Sequence, residues 1–140
     1  MQLRTVSYFL FEHELDGCWS SQSSEHHQLD GELLFTFEDA QPVYLSWGNA
    51  RTTYCIEARP KSFFRDGLLH QYEMNGHHFW SPFIGNRIEL QHLDELHQVL
   101  MVSGSSQTLF LSSQYDGGDF LGDCVRVSIV APQLPGIDHT

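Results

Sequence analysis

Apolar and polar residues alternate with a period of two along most of this chain, and helical periodicity is scarce. Alternation of this kind places successive side chains on opposite faces of an extended strand. In the first such segment, Val6, Tyr8 and Leu10 share one face, and Phe9 and Phe11 share the other. The segments predicted to be extended are residues 3–11, 31–37, 43–47, 52–58, 87–91, 97–102, 108–112 and 124–130. The chain is therefore predicted to be rich in β-structure.

Turn-forming residues separate these segments. Residues 38–42 and 103–106 contain the residue types that favour tight turns. Residues 18–30 are polar and rich in serine, which predicts a long exposed loop, and the composition of residues 66–73 allows one short helix. The fold predicted from this pattern is all-β or β-rich α+β: an antiparallel β-sandwich or a partly open barrel, with at most one short helix.

One hydrophobic core is expected, because 140 residues with 41% hydrophobic content match the usual size of a single domain. We predict one β-rich domain over residues 1–131. A frayed tail is predicted over residues 132–140, where Pro132 and Pro135 end regular structure. The alternation predicts that the following side chains are buried: Leu33, Phe35, Val125, Val127 and Ile129.

Charge limits the classes of partner. The chain has 18 acidic and 7 basic residues, which gives a formal net charge of −11. Such a charge disfavours nucleic acid and anionic membrane as partners, and it favours a basic protein. No run of about 18 apolar residues is present, so no membrane span is expected. The first segment is predicted to be a strand and not a signal peptide.

Three widely spaced cysteines, Cys18, Cys55 and Cys124, argue against a disulfide framework. We therefore predict a cytoplasmic protein with Cys55 and Cys124 in its core.

Nine histidines raise the question of a metal site. The pairs at 26–27 and 77–78 are adjacent in sequence, and adjacent strand residues point to opposite faces. Histidines in solvated loops are therefore the favoured interpretation. His92 and His97 flank a predicted turn and would approach each other across a hairpin. No motif for nucleotide binding, nucleophilic hydrolysis or a zinc protease occurs. We expect no metal, no cofactor and no catalytic residue.

The string YDGGDFLGD at residues 115–123 concentrates three carboxylates and three glycines. One interpretation is a calcium loop, although the EF-hand spacing is absent. A second is an ordinary connection between strands. A third is a recognition loop, in which Tyr115 and Phe120 are anchors and Asp116, Asp119 and Asp123 meet basic side chains.

Three further stretches, taken together, resemble those of a known class of protein. They are GELLFTFEDAQPVYLSWG at 31–48, SFF at 62–64 and FWSPFIGNRIEL at 79–90, and they include a strand that ends in SWG and a W-x3-IG turn before a strand. Together with the acidic composition, these stretches make roughly residues 31–130 resemble small bacterial immunity proteins. Such proteins are cytosolic antidotes of secreted or contact-delivered toxins. The resemblance implies a binding protein without catalysis that opposes a basic toxin domain. It transfers no functional residue by position.

The function predicted is that of a non-catalytic acidic binding protein, an immunity-type inhibitor that occludes the active site of a basic toxin domain. Because loop tips approach a partner without disturbing the strands, the residues predicted to bind are Asp94, Glu95, Tyr115, Asp116, Asp119 and Asp123. An alternative is a small-molecule-binding or enzymatic β-barrel with a histidine-containing pocket. A third hypothesis is a structural subunit whose acidity only keeps it soluble.

Overall fold

Two antiparallel sheets make up the fold. The computed structural model of the chain describes residues 1–14, 26–49, 54–113 and 124–132. Over these residues the strands are β1 (Leu3–Leu10), β2 (His26–Leu29), β3 (Glu32–Phe37), β4 (Val43–Gly48), β5 (Cys55–Arg59), β6 (His70–Glu73), β7 (Glu89–His92), β8 (Val99–Ser103), β9 (Thr108–Ser112) and β10 (Val125–Ser128). A 3-10 turn, Glu12–Glu14, follows β1. None of the helical structure described is long and apolar enough to cross a membrane.

The first sheet has the strand order β5-β4-β3-β1-β6, and the second has the order β2-β10-β9-β8-β7. Every strand pair in the described part of the chain is antiparallel, and the two sheets that these strands form do not close into a barrel. The predicted β-sandwich is therefore confirmed. Each of the predicted extended segments overlaps an observed strand.

The core lies between the sheets and contains side chains from both. The predicted burial of Leu33, Phe35, Val125 and Val127 is confirmed, as is that of Cys55 and Cys124. The segment 74–88, which joins β6 to β7, adds large side chains to the same core, among them Phe79, Trp80 and Phe83. Aromatic residues therefore fill much of the space between the sheets.

The prediction that Ile129 is buried is wrong, because its side chain is 48% exposed. Strand β10 ends one residue earlier, at Ser128. The Ser128 hydroxyl donates to the carbonyl of Val130 at 2.9 Å and accepts from the N–H of Val130 at 3.0 Å. This local turn takes the chain out of the sheet, so the alternation does not extend to Ile129.

Two strands form where the sequence predicts something else. Strand β2 lies within the predicted exposed loop 18–30, and strand β6 lies within the predicted short helix 66–73. Strand β6 pairs with β1 along the edge of the first sheet, and all of its residues are exposed. It therefore lacks the buried face that produces an alternating pattern.

Candidate partner-binding end of the sandwich

Strand register aligns the starts and ends of several connections at one end of the second sheet. Val125 of β10 is opposite Leu29 of β2, and Ser112 of β9 is opposite both Arg126 of β10 and Val99 of β8. The turn 93–98, which precedes β8, therefore lies at this end. The chain also enters residues 114–123 and leaves them at this end.

A connected series of contacts links the two sheets at this end. On the side of the first sheet it begins at Glu14, the last residue of the 3-10 turn. Its buried carboxylate accepts the backbone N–H groups of Phe11 and Asp30, each at 2.9 Å. The Trp47 indole N–H, from β4, then donates to the carbonyl of Asp30 at 3.1 Å. The Trp47 ring packs edge-on against Tyr54, with centroids 5.9 Å apart. Glu14 is thus connected to the start of β5.

The contacts continue into the second sheet. The Ser113 hydroxyl donates to the carbonyl of Tyr54 at 3.1 Å, and the Ser113 N–H donates to the carbonyl of Gln98 at 3.2 Å. The Asp94 carboxylate accepts the N–H groups of Gln98 at 3.1 Å and Val99 at 3.0 Å. We call this connected set the anchor chain: Glu14, Asp30, Trp47, Tyr54, Ser113, Gln98 and Asp94.

The anchor chain brings together three parts of the chain that carry or precede acidic residues: the 3-10 turn with Glu12 and Glu14, the turn with Asp94 and Glu95, and Ser113, which precedes the acidic string at 115–123. Glu14 immediately precedes residues 15–25, Ser113 immediately precedes residues 114–123, and Asp94 begins its own turn. A further bond joins the sheets here, from the Ile56 N–H to the carbonyl of His97 at 2.7 Å. We call this end of the sandwich the acidic end.

The predicted binding residues fall into two groups. Asp94 is half-buried, and both of its oxygens bind the backbone of its own turn, so it positions the turn. Glu95 is exposed at the tip. Next to it, Leu96 is 40% exposed, an apolar side chain that the sequence analysis did not single out although it lies in the predicted turn. The other predicted binding residues lie outside the described part of the chain: Tyr115, Asp116, Asp119 and Asp123.

The expected approach of His92 and His97 is confirmed, because their rings stack at 3.8 Å and are only 8° from parallel. His97 also adopts a left-handed backbone, with φ of 56°, which shapes the turn. Among the described residues, no group of three or more histidine, cysteine or acidic side chains is arranged to hold a metal ion. A groove of about 510 Å³ at the opposite end is lined by residues such as Arg87, Glu89 and Ser103, and no histidine lines it.

A second polar cluster lies in the core between the sheets. The Trp80 indole N–H donates to Oη of Tyr8 on β1 at 2.9 Å, and that oxygen lies 2.9 Å from Nδ1 of His27 on β2. Because an indole N–H only donates, Tyr8 accepts from Trp80 and can donate its own proton to His27. All three side chains are buried, and burial raises the pKa of Tyr8. The interpretation of the histidines as solvated loop residues is wrong for His27.

Other imidazoles surround His27. The His77 ring lies 4.6 Å from it, and His78 stacks on His77 at 4.4 Å. The Phe79 N–H donates to Nδ1 of His77 at 3.1 Å. The pKa of His27 is lowered to about 4, chiefly by burial and then by the like charges of His77, His78 and His26. Burial, followed by the charge of His78, also lowers the pKa of His77.

The chain matches no protein-family model, no curated protein and no solved structure.

Proposed function

We propose that this chain is a non-catalytic acidic binding protein of the immunity type, which neutralises a basic toxin domain by covering its active site. The observation that carries the proposal is the anchor chain, because its contacts bring three parts of the chain that carry or precede acidic residues to one end of the sandwich. Connections at the end of a β-sandwich are a common recognition surface, since the strands hold them in place while their sequences vary.

Electrostatics supports the same surface. The net charge of −11 attracts a basic partner over long range and raises the rate of encounter. Glu14, Asp94 and Ser113 belong to one connected set of contacts, and acidic residues follow each of them in sequence, so their charges would add at a single surface. Carboxylates there would pair with the lysine and arginine side chains with which the toxin domain binds its own substrate.

Besides charge, a stable complex requires apolar side chains that pack against the partner. Leu96 is exposed beside Glu95, and Tyr115 lies in the acidic segment that follows Ser113. Such side chains lose water on binding and slow dissociation, while the surrounding carboxylates form the rim. A bacterial cytoplasm is the proposed compartment, since this is where an antidote would meet its toxin, and it suits cysteines kept as thiols.

The experiment uses the protein encoded immediately upstream of this chain as the candidate partner. Both proteins are purified and mixed, and the complex is measured by analytical ultracentrifugation together with the catalytic activity of the partner. We expect a one-to-one complex and loss of that activity. Failure to form a complex at about 10 μM, or a complex that leaves the activity unchanged, would contradict the proposal.

Matched variants locate the surface. Glu12 and Glu95 are exposed and lie at the acidic end, whereas Glu38 and Glu89 are exposed at the opposite end. The variant Glu12→Lys/Glu95→Lys should weaken the complex. The variant Glu38→Lys/Glu89→Lys carries the same change in net charge and should weaken it far less.

A further inference from the structure

Strand β2 is an edge strand of the second sheet, and among the described strands it pairs with β10 alone. It has four residues, of which His27 and Leu29 point into the core. The bond between His27 and Tyr8 ties this short strand to an interior strand of the other sheet, because Tyr8 lies on β1, between β3 and β6. Trp80 fixes the Tyr8 hydroxyl from the opposite side.

We propose that His27, Tyr8, Trp80 and His77 form a pH-sensitive latch between the two sheets, which opens when His27 binds a proton and releases strand β2 from the core. This inference is independent of the proposed partner. It concerns how the two sheets are held together.

Protonation would remove the contact that closes the latch. Neutral imidazole accepts at one ring nitrogen, whereas both nitrogens of the protonated ring donate. The Tyr8 hydroxyl, already an acceptor for Trp80, would therefore lose Nδ1 of His27 as the acceptor of its own proton. The new charge would also lie in the core, where His27 is only 4% exposed, and removing a charge from water is costly.

Charged groups on the neighbouring elements act in the same direction. Segment 74–88 contributes His77 and His78, and β2 itself contributes His26, all of which repel a protonated His27. Strand β1 contributes Tyr8, which stays neutral. Strand β10 places Val127 opposite His27, while its Arg126 is opposite Gln28, on the other face of the sheet. Within the described residues, no carboxylate is among the charges that act on His27.

The direction of the pH effect follows from the two protonation equilibria. The pKa of His27 is about 4 with the latch closed, and it returns to the ordinary value of 6.5 when the ring meets water. Between these values the open form binds the proton more readily, so a falling pH shifts the equilibrium toward opening. From pH 7 to pH 4.5 the opening equilibrium should rise by roughly fifty- to a hundredfold.

Amide hydrogen exchange tests the latch at single residues in the intact protein. Exchange is measured at pH 7 and pH 4.5 and corrected for the intrinsic rates. The protection of the Gln28 and Leu29 amides should fall by roughly fifty- to a hundredfold, while amides of β3 and β4 should keep theirs. Equal loss of protection in β2 and β3, or none in β2, would overturn the proposal.

Variants separate the latch from general acid sensitivity. His27→Asn keeps a side-chain acceptor for Tyr8 but does not titrate, so β2 protection should become independent of pH over this range. His70→Asn, at an exposed histidine of β6, should leave the wild-type response unchanged. An unaltered pH response in His27→Asn would contradict the latch. Imidazole ¹⁵N shifts of wild-type His27 provide a test that requires no variant: they should report a neutral ring at pH 5.5, and a protonated ring at that pH would overturn the proposal.

Discussion

At the scale of single residues, acidity has two different roles in this protein. Glu14 and Glu32 are buried, and their carboxylates accept backbone N–H groups that fix nearby turns: Glu14 those of Phe11 and Asp30, Glu32 that of Phe63. A carboxylate that holds the protein's own backbone is not available to a partner. Glu12 and Glu95, by contrast, are exposed, and they are among the residues proposed to meet a partner.

The core residue Phe35 provides a direct test of the packing. Its side chain is fully buried, with its ring 5.4 Å from that of Trp80. Phe35→Ala should lower the free energy of unfolding by about 3–5 kcal/mol, because it leaves a cavity between the sheets. Leu68→Ala, at an exposed position, should change it by less than about 0.5 kcal/mol. Urea denaturation measures both, and similar values for the two variants would contradict the assigned core.

Apolar contact at the acidic end is tested by two exposed aliphatic residues. Leu96 is 40% exposed at the acidic end, and Ile129 is 48% exposed at the opposite end. Leu96→Ala, like Tyr115→Ala, should speed dissociation from the partner by roughly tenfold, since each removes a desolvated anchor. Ile129→Ala should leave the dissociation rate unchanged. Surface-based binding measures all three rates, and equal effects of Leu96→Ala and Ile129→Ala would argue against this surface.

At the scale of elements, alternation identifies those strands whose buried faces are apolar. Strand β3 is an example, with Leu33, Phe35 and Phe37 directed inward. Strand β2 escaped prediction because one of its inward residues is a histidine, and Tyr8, which binds that histidine, is distant in sequence. Strand β6 escaped because all of its residues are exposed, and only pairing with β1 makes it a strand.

The candidate site was predictable only in part, for a similar reason. Acidic turns are visible in the sequence, including the one that contains Asp94 and Glu95. Their common location depends on contacts between distant residues, such as Trp47 with Asp30 and Ser113 with Tyr54. No local pattern encodes these contacts, because they arise only when the two sheets pack.

The turn between β7 and β8 contains an acidic residue with a structural role, Asp94, and next to it an exposed one, Glu95. Asp94→Ala removes the acceptor of two backbone N–H groups, so it should cost about 1–3 kcal/mol of stability and speed amide exchange at Gln98 and Val99. Glu95→Ala, one residue later and exposed, should cost less than about 0.5 kcal/mol. Chemical denaturation and hydrogen exchange measure these effects. A greater loss of stability in Glu95→Ala would refute the assigned roles.

At the scale of the whole molecule, the described residues form two packed sheets with an excess of acid at the surface. Several of the described histidines are used for packing: His92 stacks on His97, and His27 lies in the core. This arrangement fits a protein that binds through its surface better than one that binds a ligand in a barrel. The acidic end is the part of that surface at which we propose that a partner binds.

Metal content tests the alternative function. We expect the purified protein to contain no stoichiometric zinc or calcium, because the described histidine and acidic side chains form no ligand set. Elemental analysis after a chelator wash measures this. About one metal ion per chain would contradict the expectation and would direct attention to His92 and His97, or to Asp116, Asp119 and Asp123.

The most direct test of the central claim is the rate of association with the basic partner, measured by stopped flow. Asp116→Lys/Asp119→Lys changes charge in the segment that follows Ser113, and Glu38→Lys/Glu89→Lys makes the same change in net charge at the opposite end. We predict that the first variant slows association roughly tenfold more than the second. Raising salt from 0.1 M to 1 M, which shortens the screening length from about 10 Å to about 3 Å, should slow the wild type as well. Association that is indifferent to salt, and equal in the two variants, would contradict an acidic end that captures a basic partner.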